Sequence, residues 1–122
     1  MYIMARKEKT SGSPANLQTA LKKATTEMMV LHLLREKPMY TYEMMSAIEE
    51  RSGGGIVFNT LYLTIYRLEE NGYIREHSKV MSEDNRTRIY FAITEAGDAY
   101  LDALIQEYKR YTAALARVLE LE

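Results

Sequence analysis

The chain has 122 residues, which suits one compact domain, and 47% of them are hydrophobic, enough to build a core. It has no cysteine, which excludes disulfides and thiolate chemistry, and no apolar run reaches the roughly 18–20 residues of a membrane span. The net charge is −1, but residues 1–26 hold five Lys or Arg against one acid, so the total does not exclude a local basic face for phosphate.

The N-terminal segment divides into a polar tail and a helix. Residues 1–12 are predicted to be a flexible tail, and they lack the apolar core and cleavage pattern of a signal peptide, so we expect a cytoplasmic protein. Ser13 and Pro14 fit an N-cap followed by proline at the first helical position. A later start, at Thr25, fits as well, and Pro38 ends the helix.

Two shorter helices are predicted next. Thr41 fits the cap of the second, with Glu43 in its first turn, and residues 52–55 (SGGG) end it. Asn59 fits the cap of the third helix, which Gly72 terminates.

The hydrophobic period then changes from helical spacing to two. Residues 74–80 and 87–93 are predicted strands joined by a turn at 82–86, and a last helix is predicted from 94 to about 119. Three helices followed by a hairpin predict a mainly α fold with a small β-hairpin wing, a winged helix-turn-helix with an added C-terminal helix. We divide it into a winged helix-turn-helix at 13–93 and a dimerisation helix at 94–122.

The third helix has a core side and a polar, aromatic side. Leu61, Ile65 and Leu68 are expected to anchor it to its own domain. In such modules the third helix is the one that enters the DNA major groove. The side chains left for DNA are Thr60, Tyr62, Leu63, Tyr66 and Arg67. Alternatively, the two tyrosines pack against the wing or a neighbouring helix.

Three blocks of sequence resemble the PadR family of transcriptional regulators. They are TLYLTIYRLEENGYI at 60–74, TYEM at 41–44 and RIYFAITEAG at 88–97. The likeness covers about 28–97, and the terminal helices fit the shorter PadR-like branch with one C-terminal helix. It implies a homodimeric, DNA-binding transcription regulator, expected to be a repressor of a pseudo-palindromic operator.

The predicted DNA-binding residues combine the third helix with its flanks and the wing. They are Thr41, Asn59, Thr60, Tyr62, Leu63, Tyr66, Arg67, Lys79, Arg86 and Arg88. The family often has glycine at 41, proline at 63, a basic residue at 89 and a glycine-rich wing tip, where this chain has Glu83-Asp84-Asn85. The wing cations either neutralise phosphates or form a solvated face paired with Glu83 and Asp84. The basic residues near the N-terminus carry the same two alternatives: Arg6, Lys7, Lys9, Lys22 and Lys23.

The last helix carries an apolar stripe that is too wide for a helix lying alone beside a small wing. In addition, DNA-binding modules of this kind commonly act as two-fold dimers, which contact two half-sites about one helical turn apart. The last helix and the first helix are therefore predicted to form a homodimer interface, with an intrachain core helix as the alternative. The interface residues are Leu17, Leu21, Leu101, Leu104, Ile105, Tyr108, Tyr111, Leu115 and Leu119.

The resemblance also implies an effector pocket, because multidrug-responsive members of the short branch bind flat aromatic compounds between the terminal helices. The matching positions here are Ala24, Glu27, Met28, Tyr108 and Thr112. Tyr108 stands where those members have tryptophan. Alternatively, Met28 and Tyr108 only fill the dimer interface.

Enzyme signatures are missing from the sequence. His32 and His77 are far apart and neither has a partner at metal-ligand spacing, and there is no phosphate loop or nucleophile elbow. We predict no catalytic residue, metal or cofactor. The alternative function is a winged helix that acts through protein partners and has little DNA affinity.

Overall fold

A computed structural model of the chain describes residues 12–122, so the tail predicted at 1–12 lies outside the described residues except for Gly12. The elements are α1 Pro14–Glu36, α2 Thr41–Arg51, α3 Tyr62–Glu70, β1 Ile74–Met81, β2 Thr87–Ile93 and α4 Glu95–Leu119. Three helices, an antiparallel hairpin and a C-terminal helix confirm the predicted mainly α winged-helix fold.

Helix α1 begins where the Ser-Pro pair predicts. The Ser13 hydroxyl oxygen accepts a 3.2 Å hydrogen bond from the Asn16 amide, and Pro14 occupies the first turn, where no amide donor is needed. The later start at Thr25 is therefore not used. The helix ends at Glu36, just before Pro38, whose ring prevents the preceding residue from staying helical.

Two helix caps differ from the prediction. Helix α2 begins at Thr41 rather than after it, because Glu43 accepts a 3.2 Å hydrogen bond from the Tyr40 amide and satisfies the helix start without a threonine cap. Helix α3 begins at Tyr62, and the cap predicted at Asn59 is wrong. Leu61 occupies the N-cap position, and the Tyr62 amide donates to Thr60 Oγ1 at 3.1 Å.

The hairpin is fixed to the helical layer. Its two strands pair from Ile74↔Ile93 to Met81↔Thr87, with an irregularity between Glu76 and Ser78. Met39, between α1 and α2, exchanges hydrogen bonds of 3.1 and 2.9 Å with Phe91 of β2. The wing therefore has a third short pairing at its base, which sets its position relative to α2 and α3.

One core joins all the helices to the hairpin. Its buried side chains are Val30, Leu31, Leu33, Leu34, Met39, Met44, Ile48, Leu61, Ile65, Leu68, Ile74, Phe91 and Leu101. The anchors predicted for α3, which are Leu61, Ile65 and Leu68, are all buried. Leu101 is 0% exposed in its own chain, so its assignment to the dimer interface is corrected: a side chain already enclosed has no surface for a partner.

Helix α4 meets the start of the hairpin through a tight junction. The Thr94 hydroxyl donates to the Gly72 carbonyl at 2.7 Å and accepts from the Gly97 amide at 3.0 Å, so it caps α4 and ties it to the end of α3. A Cβ atom on Gly97 would overlap the carbonyl oxygen of Tyr73. The junction therefore needs glycine at position 97.

Candidate nucleic-acid interface

Helix α3 is anchored on one side and bare on the other. Ile65 and Leu68 are buried, whereas Tyr62, Leu63 and Tyr66 are 70, 60 and 51% exposed. Because residues four apart lie above one another on a helix, the buried and exposed sets form opposite stripes. The side chains predicted to contact DNA are thus held outward by a hydrophobic back.

The exposed side of α3 is a ridge between two grooves. The wing-side groove, with a volume of about 480 Å³, lies between Tyr62 and Tyr66 on α3 and residues 87–89 of β2. The α1-side groove, of about 320 Å³, lies between Leu63 and Arg67 on α3 and the first half of α1. The predicted DNA-contacting face is therefore divided, with the tyrosines on one flank and Leu63 and Arg67 on the other.

Aromatic contacts organise the wing-side groove. The Tyr40 ring meets Tyr90 edge-on, with centroids 5.3 Å apart and an interplanar angle of 64°. The Arg88 guanidinium lies 4.7 Å from the Tyr40 centroid, a cation–π contact. Glu69 and Glu76 line the same groove, so Arg88 shares it with two carboxylates.

The Tyr66 hydroxyl has a partner on its own helix. It donates a 3.3 Å hydrogen bond to Glu70, one turn later. The negative charge of Glu70, together with this hydrogen bond, raises the pKa of Tyr66. The hydroxyl is therefore a neutral donor at physiological pH, oriented toward the C-terminal end of α3.

The wing cations predicted to touch phosphate are partly paired with acids of the wing. Lys79 Nζ lies 3.9 Å from Glu76, and Arg86 Nε lies 3.6 Å from Asp84. The Ser82 hydroxyl, which donates to Asp84, lowers the pKa of that carboxyl, as do backbone hydrogen bonds. Exposed ion pairs of this kind contribute little, about 0–1 kcal/mol, so a phosphate can compete for the cations.

The remaining predicted contact positions lie around the start of α3 and α2. Asn59 and Thr60 are exposed, and Thr41 is half-buried at the wall of the wing-side groove. Thr60 uses its hydroxyl oxygen to bind the Tyr62 amide. These three residues therefore lie beside the exposed side of α3 rather than on it.

An apolar face runs along α1 and the outer part of α4. Its members from the predicted interface, all at least 39% exposed, are Leu17, Leu21, Tyr108, Tyr111, Leu115 and Leu119. Leu104 and Ile105 are half-buried against the core. Val118 and Leu121 are more than 70% exposed near the same end of α4.

The residues matched to an effector pocket are not enclosed together within one chain. Ala24 and Glu27 line the α1-side groove, whose far wall is α3. Tyr108 is exposed on α4, two turns or about 12 Å beyond Tyr100, which donates a hydrogen bond to Glu27 of α1. Met28 is half-buried against the core.

Glu27 is engaged by α4. The Tyr100 hydroxyl donates a 2.7 Å hydrogen bond to Glu27 Oε1, and the Tyr100 ring stacks on Tyr73 with centroids 4.1 Å apart. The hydrogen bond and partial burial raise the pKa of Tyr100 to about 12. This contact joins α1, α4 and the start of the hairpin.

Within residues 12–122, no three His, Asp or Glu side chains are grouped as a metal site, and no helix is long and apolar enough to cross a membrane.

The sequence profile described as "Transcriptional regulator PadR-like family" matches residues 30–103, from the buried half of α1 into α4. The chain belongs to this family. An uncharacterised protein of Lysinibacillus sphaericus is 32% identical over 84 residues, which span 67% of this chain and 76% of that protein.

Solved structures share the fold of this PadR-like chain. A transcriptional regulator from Clostridium thermocellum is 27% identical, with a TM-score of 0.72 over 80% of this chain and 96% of that one. A PadR family regulator from Eggerthella lenta is similar in fold, with a TM-score of 0.71, 24% identity and coverage of 86 and 87%. The family consists of DNA-binding transcriptional regulators rather than enzymes.

One residue of the candidate interface, Tyr40, was not identified from the sequence as part of a site. Tyr40 holds Arg88 across the wing-side groove, and no periodicity in the sequence relates positions 40 and 88. Lys22 and Lys23 line the α1-side groove with Arg67. The sequence offered both lysines either as phosphate ligands or as solvated cations, but it did not show the groove that they line.

Proposed function

We propose that this PadR-like regulator is a homodimer that places each α3 in a major groove of a pseudo-palindromic operator and represses transcription by occupying it. The observation that carries the proposal is the stripe arrangement of α3, with Ile65 and Leu68 buried and Tyr62, Leu63 and Tyr66 bare. A helix about 10–12 Å wide fits a major groove about 12 Å wide.

The exposed side chains suit contact with a duplex. Leu63 can touch a thymine methyl group, and Tyr62, Tyr66 and Arg67 can bond base edges or phosphates. On the wing, close to its turn, Arg88 is available to the same duplex, since it forms no ion pair within residues 12–122. Arg86 and Lys79 would have to exchange weak carboxylate partners for phosphate.

The apolar face of α1 and α4 supports the dimer. Leu17 and Leu21 on α1, with Tyr111 and Leu115 on α4, are large side chains exposed in the single chain. Large apolar side chains left exposed in such number on two helices are typical of an interaction site. A two-fold dimer would also supply the paired half-sites that give a small module its sequence selectivity.

We also propose that a small hydrophobic effector binds where the terminal helices of two copies meet, near Met28, Tyr108 and Thr112. Tyr108 is 49% exposed in the single chain, so a second copy could close a pocket around it. Such a ligand regulates only if its affinity differs between the DNA-bound and free dimers. The cytoplasm is the expected location of a regulator that binds chromosomal DNA.

The deciding experiment compares duplex binding by the native chain and by the double variant Tyr62→Ala/Arg67→Ala. The variant should bind an operator selected from random-sequence DNA at least about 10-fold more weakly, since good contacts are each worth about 1–3 kcal/mol. Gln106→Ala/Arg117→Ala, two exposed residues of α4, is the matched control. Sedimentation should show the same dimer for all three proteins.

Unchanged affinity in the double variant would reject the assigned face. If the native chain shows no salt-dependent duplex binding, the proposal of a DNA-binding dimer is rejected. That result would favour a winged helix that acts through protein partners.

A further inference from the structure

The groove between α1 and α3 has the charge and position of a second backbone site. We propose that Lys22, Lys23 and Arg67 bind the sugar–phosphate backbone on the side of the major groove opposite the wing. The inference rests on the proposed entry of α3 into that groove. It assigns DNA contact to α1, through two lysines that lie far before α3 in the sequence.

A helix lying in a major groove has a phosphate backbone along each of its flanks, because the groove is only about as wide as the helix. Here the flanks of α3 are the wing-side groove and the α1-side groove. One backbone must therefore pass over the wing and the other over the first half of α1. Lys22 and Lys23 are the basic residues that line this second path together with Arg67.

The two grooves differ in charge, and the difference favours phosphate on the α1 side. The wing-side groove is lined by one cation, Arg88, and two carboxylates, Glu69 and Glu76. The α1-side groove is lined by three cations and a single carboxylate, Glu27. That carboxylate already accepts the Tyr100 hydroxyl.

The lysines are positioned without being neutralised. Lys22 Nζ donates to the Val57 carbonyl oxygen at 2.7 Å and lies 5.0 Å from the centroid of Phe58, so both of its partners are uncharged. Within residues 12–122, neither Lys22, Lys23 nor Arg67 forms an ion pair. Their charges therefore remain available to a phosphate.

The same helix keeps this basic side apart from the proposed dimer face. At about 100° per residue, the mean direction of Lys22 and Lys23 is roughly opposite that of Leu17 and Leu21. Helix α1 can therefore meet DNA with one side and a second copy of the chain with the other.

The test measures the affinity of the full-length dimer for a labelled duplex of about 30 base pairs, recovered by selection from random-sequence DNA, across a series of salt concentrations. Lys22→Gln/Lys23→Gln removes two charges and keeps a hydrogen-bond donor at each position. The slope of log affinity against log salt should fall by about 0.9 for each phosphate no longer neutralised, or as much as about 3.6 for the four lysines of a dimer. The ranking of duplex sequences should stay unchanged, since phosphate contacts carry no base information.

Lys109→Gln/Arg117→Gln is the matched control, since it removes two charges of α4 that form no ion pair within residues 12–122. Equal salt slopes for the two double variants would overturn the inference. Lys23→Glu serves as a second variant, because Lys23 makes no side-chain hydrogen bond within the described chain. Lys23→Glu should weaken duplex binding more than Lys109→Glu does. Failure of the native chain to bind the duplex, by contrast, would reject the proposed function.

Discussion

The Tyr100 hydroxyl on α4 donates a 2.7 Å hydrogen bond to the Glu27 carboxylate on α1, across 73 positions of sequence. The Tyr100 ring stacks at the same time on Tyr73, at an interplanar angle of 12°. This one side chain therefore connects the first helix, the last helix and the start of the wing. It therefore helps to fix α4, which carries part of the proposed dimer face, against α1 and the hairpin.

Removing the Tyr100 hydroxyl should loosen this connection while the ring stays packed. We expect Tyr100→Phe to lower the free energy of unfolding by about 1 kcal/mol, the usual value of one hydrogen bond when the carboxylate left behind can be solvated. Urea denaturation at a fixed protomer concentration measures it. Tyr42→Phe is the control, since Tyr42 is exposed and its hydroxyl makes no hydrogen bond within residues 12–122, and an equal loss there would contradict the assignment.

The hydrogen bond between Tyr100 and Glu27 also predicts that the stability of the fold falls at alkaline pH. The folded-state pKa of Tyr100 is raised from 10 to about 12, so its contribution to stability is fully present below pH 10 and is lost as the pH rises to about 12. The stability of the native chain should therefore fall more steeply between pH 10 and 12 than that of Tyr100→Phe. If stability falls equally with pH in the two proteins, the pKa of the Tyr100 hydroxyl is not raised by folding.

Position 97 should not tolerate a side chain. A Cβ there overlaps the Tyr73 carbonyl oxygen and lies 2.9 Å from Ile93 Cγ1, so backbone at the α4 junction would have to move. Gly97→Ala should destabilise the fold by about 1–3 kcal/mol despite the better helix propensity of alanine. Thermal unfolding measures the loss, with Ala99→Ser, at an exposed site on the same helix, as the control. A Gly97→Ala protein more stable than the native chain would contradict the close approach at position 97.

A single charge introduced into the proposed dimer face should prevent the dimer from forming. Leu115 is 39% exposed on the apolar side of α4, and Leu115→Glu would bury a carboxylate between the two chains. We expect sedimentation at micromolar concentration to show a monomer for Leu115→Glu and a dimer for Gln106→Glu, which adds the same charge on the polar side. A Leu115→Glu dimer as tight as the native one would place the interface elsewhere.

The acid that holds Tyr66 should weaken DNA binding. Glu70 carries a negative charge at the end of α3, next to the proposed path of the duplex, and Glu70→Gln removes it while keeping an acceptor for the Tyr66 hydroxyl. Duplex affinity should rise by up to about 10-fold, because like-charge repulsion is relieved. Glu120→Gln, at the far end of α4, should leave affinity unchanged, and equal effects of the two substitutions would argue against DNA at α3.

The elements of this fold were determined locally. The Ser13-Pro14 start of α1 and the Thr94 cap of α4 depend on neighbours within a few residues, and so does the alternation from 87 to 93. The periodic Leu61, Ile65 and Leu68 likewise fixed which side of α3 is buried. Because helix and strand periods are written in adjacent residues, the sequence by itself predicted these elements, although it left the start of α1 open between Ser13 and Thr25.

The tertiary structure decided what local patterns do not encode. Leu101 belongs to the same stripe as Leu115, yet it is enclosed by its own core because the Thr94 and Gly97 junction presses the start of α4 against the hairpin. Thr60 rather than Asn59 meets the first amide of α3. The two grooves beside α3, and the lysines of α1 that enter one of them, exist only once segments far apart in sequence pack together, and contact between such segments leaves no period to read.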